Sequence, residues 1–488
     1  MEKKISISYM ENVKYPSIED MLYPDQQYEE LKIKYDKFSK DNQIYKMIRN
    51  SFKQLELDKE NYNTKNWNPL GDNLIIPGNT VLIKPNMVLD KNQGDGGEEC
   101  LYTNPSLVAV IINYVWIALK EKGKIILADA PVQTCDFENM IKTSGYEKIV
   151  KFYKENGVNI ELKDLRGLIS HIENGNMVTE TFDKDGIIVD LKKDSEHNEI
   201  LENDINKVRI TNYDPGELLK HHNKEKNEYF IAKEALNADV IINMPKPKAH
   251  RKAGVTIGLK NFVGINTRKE YLPHHRFGSK KTGGDEYEKK SLLLYIYSLL
   301  IDKANILKSK KIFILYKIIL KIANIIQNID REFFSKAKYR EGSWYGNDTI
   351  WRTVVDINMI IKYANKNGIM QSTPQRNIFN IADMIIIGEK EGPLLPSPKY
   401  GGIIAMGDDI VCFDEIIASI LGMDINKIPL LKNIRNERKY ELVNKNDYGI
   451  IVSNNKLWNN KKVKDINKSI ALNIEPSSGW KNHIELER

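Results

Sequence analysis

The chain has 488 residues, of which 41% are hydrophobic, and a formal net charge of +7, enough for one large or two to three ordinary domains with a real core. The basic excess is small for this length and lies in Lys-rich solvated faces, and no RNP or zinc-finger spacing occurs, so nucleic acid is not an expected partner. Three scattered cysteines, Cys100, Cys135 and Cys412, without a CxxC pair, exclude a disulfide scaffold, a zinc ribbon and an iron–sulfur cluster held by this chain alone.

The opening MEKKISISYMENV lacks a signal-peptide apolar core. No uncharged apolar run reaches the roughly 18 residues that span a bilayer, so a reducing cytoplasm is the expected compartment.

Residues 1–75 read as an accessory N-terminal segment, with a short strand in KISISYM and an amphipathic helix in DNQIYKMIRNSFKQLEL capped by Asp41. Strand, loop and helix then alternate. NTVLI is a buried strand that stops at Lys84-Pro85-Asn86. TNPSLVAVIINYVWIAL is a helix with Thr103 as expected N-cap and Pro105 early in its first turn. KIILAD is the next strand, ending at Asp129, followed by further helix and the strand VNIELKDL. This alternation predicts an α/β fold with a mostly parallel, doubly wound sheet. Residues 166–235 read as a β-rich excursion. DVIINM is another buried strand, and 271–340 is a His/Gly flap followed by a helical insertion. The α/β core thus comprises 76–270 and 341–445, and 446–488 is a polar tail.

In open parallel sheets, ligands lie beyond the carboxyl ends of the strands. Read that way, Lys84, Asn86, Lys246, Lys248, Lys260, Asn261 and Glu391 are candidate ligand-binding residues. Pro245 and Pro247 stiffen the turn that carries the two lysines. As cleft-lining charges those lysines would be replaceable with little loss of stability. His250, His274, His275, Asp129, Asp409 and Asp414 are candidate proton-transfer groups, with His274 and His275 on a Gly-rich flap. Asp409 reads equally as a helix N-cap. With a carboxylate the histidines also offer ligands for a divalent metal. Residues 291–327 place Lys between apolar runs, a pattern that fits helices packed on the body or peripheral contact with an anionic membrane.

VLIKPNMV, ILADAP, INMPKPKAHRKAGVTIGLKNFVGI and EGPLLPSPKYGGIIAMGDDIVCFDEIIASILGMD resemble, in order from Val81 to Asp424, the domain-of-unknown-function family three-sixty-two. The resemblance implies a cytoplasmic α/β protein. The flap and helical insertion resemble those of a larger subgroup associated with surface-polysaccharide gene clusters. Some relatives carry fused iron–sulfur modules, whose cysteines are missing here.

The expected function is an enzyme of unassigned class (isomerase, lyase or transferase) acting on a small anionic metabolite, phosphorylated or a nucleotide-sugar. The alternative is a non-catalytic binder of polyanionic glycan or an anionic membrane surface.

Overall fold

The computed structural model describes residues 1–487 apart from 72, 174, 183–185, 205 and 335–337. Parts of the excursion and of the insertion therefore lie outside the described residues. The elements that position the site begin with strand β1 (Glu2–Tyr9), helix α1 (Ile44–Gln54), strand β2 (Thr80–Pro85), helix α2 (Pro105–Leu119), and strands β3 (Lys124–Asp129) and β4 (Ile160–Asp164). After the excursion come β5 (Val240–Met244), β6 (Lys248–His250), β7 (Gly254–Thr256) and the single-turn helix α3 (Gly258–Asn261). Helices α4 (Leu292–Ser309), α5 (Phe313–Ile329) and α6 (Ile350–Tyr363) precede β8 (Asn377–Glu391), β9 (Leu395–Gly407), α7 (Ile410–Ile420) and β10 (Tyr448–Ser453).

These strands form one ten-stranded sheet with the path β10-β1-β9-β8-β5-β2-β3-β4, and the β6–β7 hairpin attached to β8. All neighbours on the path are parallel except the two pairs that involve β9. The segment expected to be accessory thus supplies an interior strand, β1, and the tail supplies the edge strand β10.

The strands are apolar on both sides because both faces are covered. Val81, Ile83, Ile125, Leu127 and Ile242 pack on one face with α1 and α2. Leu82, Ile126 and Ile241, one residue out of phase, pack on the other with α6 and α7. The sheet is therefore doubly wound. Among β4, β3, β2, β5 and β8 the chain first steps outward from β2 and then returns to its other side at β5. The carboxyl ends of β2 and β5 flank that reversal, the place where such sheets open a crevice.

Helix α2 begins one residue later than its sequence suggests. Asn104 is the N-cap, its side chain accepting from Ser106 N at 3.0 Å. Thr103 instead ties the two central strands together: its hydroxyl donates to Met244 O at 2.7 Å and accepts from Asn86 N at 2.9 Å.

Strand β9 runs against its neighbours, so its carboxyl end lies beside the start of β8, with Gly407 opposite Asn380. Asp409 follows it and is thereby carried to the edge opposite the strand ends of β2 and β5. There it caps α7, accepting from Val411 N at 3.1 Å and Cys412 N at 2.9 Å. Asp409→Ala should cost about 1 kcal/mol in urea denaturation, the loss of one N-cap.

Candidate functional site

A cleft of about 480 Å3 lies over the carboxyl ends of β2 and β3. Asn86, Asp129, Lys260, Asn261 and Gly264 line its inner side. Thr211, Asn212 and Tyr213 of the excursion, His250 to Lys252, Lys269 and His274, and Pro393-Leu394 complete the lining. Its charged lining is Arg251, Lys252, Lys260 and Lys269 against the single carboxylate Asp129. A larger groove of about 1000 Å3, beside the hairpin 168–181, has no such bias: Lys151, Lys154 and Arg166 face Asp136, Glu138, Glu147, Glu155 and Asp164.

Asp129 is not free for a ligand. Lys84 Nζ stands 2.8 Å from its Oδ1, and both side chains are buried. The other oxygen accepts from Met87 N at 2.7 Å. Burial pushes the Lys84 ammonium down, and the Asp129 charge opposes that shift. Gly264 covers the pair so closely that a β-carbon there would fall 2.0 Å from Asp129 Oδ1 and 2.8 Å from Lys84 Nζ.

The structure separates the predicted lysines into two layers. Lys84, Lys246 and Lys248 are fully buried beneath the cleft and do not line it. Lys246 Nζ lies 3.0 Å from Asp383 Oδ2 and donates to Tyr15 Oη at 2.6 Å. Tyr15 donates in turn to Asp383 Oδ1 at 2.5 Å. Lys248 donates to Asn86 Oδ1 at 2.8 Å and to Leu101 O. It has no carboxylate partner within ion-pair distance among the described residues, and burial, together with the Lys246 charge, pulls it down to about 7. Asn261 stitches the layer: its Oδ1 accepts from Lys84 at 3.3 Å and from Asn86 Nδ2 at 3.0 Å, and its Nδ2 donates to Asn243 Oδ1 at 2.8 Å. The expectation that Lys246 and Lys248 are exchangeable cleft charges fails for this reason. Each is enclosed by groups that need its protons.

Lys260 reaches the cleft because Asp414 holds its helical turn. The Asp414 carboxylate accepts from Gly258 N at 2.8 Å and Leu259 N at 3.0 Å at the start of α3. It is buried, which raises it to about 8. Asp414 thus positions Lys260 and Asn261 rather than facing the cleft. Burial and the charges of Lys269 and Lys252 lower Lys260 to about 7. Lys252 and Lys269 fall to about 8, again chiefly by burial.

Two neutral histidines share this lining. His250 Nδ1 accepts from Lys252 N at 3.0 Å and Ala253 N at 3.1 Å, so its proton sits on Nε2. His274 Nδ1 lies 2.7 Å from Leu272 O, a pure acceptor, so it donates there and Nε2 keeps a lone pair. Burial, followed by the Lys260 charge for His250 and the Lys252 charge for His274, holds both well below the usual range. One ring is therefore a neutral donor and the other a neutral acceptor.

The remaining predicted residues stand apart. His275 is buried outside the cleft lining, in a two-residue ladder with Val208–Arg209. Glu391 binds the tail, accepting from Ser478 N at 2.8 Å. Among the described residues no three His, Cys, Asp or Glu side chains are grouped to hold a metal, so the suggested histidine and carboxylate ligand set is not assembled. Sequence reasoning missed Arg251, Lys252 and Lys269 as lining residues. The first two belong to the His-Arg-Lys run at 250–252, and the last reads as an ordinary loop lysine.

The model of the family described as Domain of unknown function (DUF362) matches residues 81–189 and 154–419. The chain belongs to this family. The matched stretches contain the strand ends, both lysine layers and both cleft histidines. A thylakoid-associated protein of Synechocystis, sll1697, is 26% identical over 198 residues, 40% of this chain and 42% of that protein. The chain thus spans about two fifths of that relative's length. No solved structure gives a significant match.

Two outcomes follow for the buried layer. Lys246→Ala strands the Asp383 carboxylate and should cost about 3–5 kcal/mol in denaturant unfolding, the penalty for breaking a buried pair from one side. Gly264→Ala should cost about 1–3 kcal/mol by overpacking the Lys84–Asp129 pair.

Proposed function

We propose that this protein is an enzyme acting on a small anionic metabolite, phosphorylated or a nucleotide-sugar, bound in the cleft over β2 and β3. The observation that carries this reading is the lining itself. Arg251, Lys252, Lys260 and Lys269 converge there, and the one lining carboxylate is already occupied by Lys84. Ammonium and guanidinium groups suit phosphate and carboxylate oxygens. Lysines held near neutrality by burial and mutual repulsion gain protons when an anion arrives. In this reading His274 Nε2 takes a proton from the substrate and His250 Nε2–H donates one, while the cations stabilise the charge that develops. Asn86 and Asn261 supply neutral hydrogen bonds at the inner side.

The reaction would be a proton transfer coupled to isomerisation, elimination or group transfer, and the lining supports these equally. We assign the protein to the cytoplasm and to surface-polysaccharide metabolism, supported by its three unpaired cysteines and by its flap and insertion. A non-catalytic binder of polyanionic glycan is the second reading, favoured by the same excess of positive charge. The two differ in what the histidines contribute. A binder needs no paired donor and acceptor ring.

Sulfate tests the reading, because its charge is constant through neutral pH. The depressed Lys260 loses its proton as pH rises through about 7. Sulfate affinity by calorimetry should therefore fall about tenfold or more between pH 6.5 and 8.5, since only the protonated cleft binds. Lys260→Met should flatten that profile and raise the Tm of the ligand-free protein by removing a partly buried, repelled charge. A pH-independent affinity would defeat the proposal. His274→Gln should leave sulfate affinity within about threefold while abolishing turnover of a substrate that requires a base.

A further inference from the structure

The helical insertion is not used by the cleft, and its surface is unlike the rest of the molecule. Helices α4 and α5 form a hairpin joined at Lys310–Ile312. Of the exposed large apolar side chains among the described residues, about half lie between Leu292 and Phe333. On α5, Ile314, Ile318, Ile322, Ile325 and Ile329 are all exposed, Ile314 by 80%. At about 100° per residue these five fall within about 80° of one another, a single stripe along the helix. Only Ala323 on α5 is buried. A soluble protein seldom leaves such a stripe to water without a partner.

Charge selects among partners. Residues 292–329 contain six lysines and one acid, Asp302. That acid is turned inward to Arg209 at 3.0 Å. Lys310 and Lys311 stand exposed at the turn, and Lys317 and Lys321 are exposed on one flank of the isoleucine stripe. Two copies of this hairpin packed face to face would set lysine against lysine. An anionic lipid surface accepts both features, taking the isoleucines into its interface and the ammonium groups among its phosphates. No helix is long and apolar enough to cross a membrane among the described residues, so the hairpin lies in the plane of the surface.

We propose that the α4–α5 hairpin docks the protein on an anionic membrane surface. The turn is tethered to the wall of the cleft: Lys308 Nζ donates to Asn212 O at 2.9 Å and Ser309 Oγ to Asp214 Oδ2 at 2.9 Å. Asn212 lines the cleft. Docking therefore brings the cleft wall near lipid headgroups. The proposal rests on the hairpin alone and stands whether or not the cleft binds sulfate.

The test is co-sedimentation of the full chain with vesicles of phosphatidylcholine, with and without about 30% phosphatidylglycerol, alongside sedimentation velocity without lipid. The parent should bind the anionic vesicles about tenfold or more tightly than the neutral ones. Ile314→Glu/Ile318→Glu and Lys310→Glu/Lys311→Glu should each weaken that binding about tenfold or more, with the far-ultraviolet spectrum unchanged because all four side chains are exposed. Equal binding to both vesicles, or none, overturns the proposal. So do variants that bind like the parent. A lipid-free dimer dispersed by the isoleucine variant, in a protein that ignores vesicles, would assign the stripe to a second copy instead.

Discussion

Everything at the strand ends depends on the burial of the Lys84 ammonium against Asp129. An ammonium and a carboxylate moved out of water lose several kcal/mol each, and their attraction offsets that only when the remaining hydrogen-bonding capacity is satisfied. Here it is. Asp129 takes two backbone N–H groups besides the lysine, and Lys84 also donates to Pro85 O at 3.0 Å and to Asn261. Those partners come from the loops after β2 and β3 and from α3. Closing the pair therefore fixes the relative position of three segments, the first and last of which carry partners 177 residues apart in sequence. Gly264 has no side chain because a methyl group would occupy the space the pair needs.

The same logic explains the second ion pair and the division of labour between the layers. Lys246 and Asp383 fasten β5's exit to β8, and Tyr15 brings the N-terminal segment beneath them. These charges are consumed by one another. Arg251, Lys252, Lys260 and Lys269 have no matching acids in the cleft lining, and three of the four are pulled down by burial. A fold that pairs two of its three deep lysines, Lys84 and Lys246, with acids while leaving the shallow ones unmatched has separated a structural basic layer from one that faces the cleft.

Much of the sheet was legible because successive residues of β2, β3 and β5 are apolar, which only a strand buried on both faces requires. What the hydrophobic pattern could not carry was direction. An antiparallel β9 and a parallel one bury the same residues, yet the reversal moves Asp409 from one edge of the sheet to the other. Depth was equally hidden. Lys246 and Lys248 alternate with Pro245 and Pro247 in what reads as a solvated turn, and their burial depends on Asp383, Tyr15 and Leu101, far away in sequence. Lys260 and Asn261 were readable as site residues because charge and amide stood within an apolar, Gly-rich run. Lys269 was not, since nothing local distinguishes it from a loop lysine.

The two cleft histidines show how backbone geometry can set chemistry without any charged partner. In many sites a carboxylate fixes the tautomer of a histidine. Here a turn does so for His250, by offering two N–H groups to Nδ1, and a carbonyl does so for His274. Neither arrangement adds a negative charge, and the opposing pull of the Leu272 carbonyl on His274 is outweighed by burial and by the Lys252 and Lys260 charges. The rings stay neutral at physiological pH, one with a proton to give and one with a lone pair to accept. Tautomers fixed by carboxylates would have set negative charge beside the lining cations. Fixed by backbone, they leave the field of those cations intact.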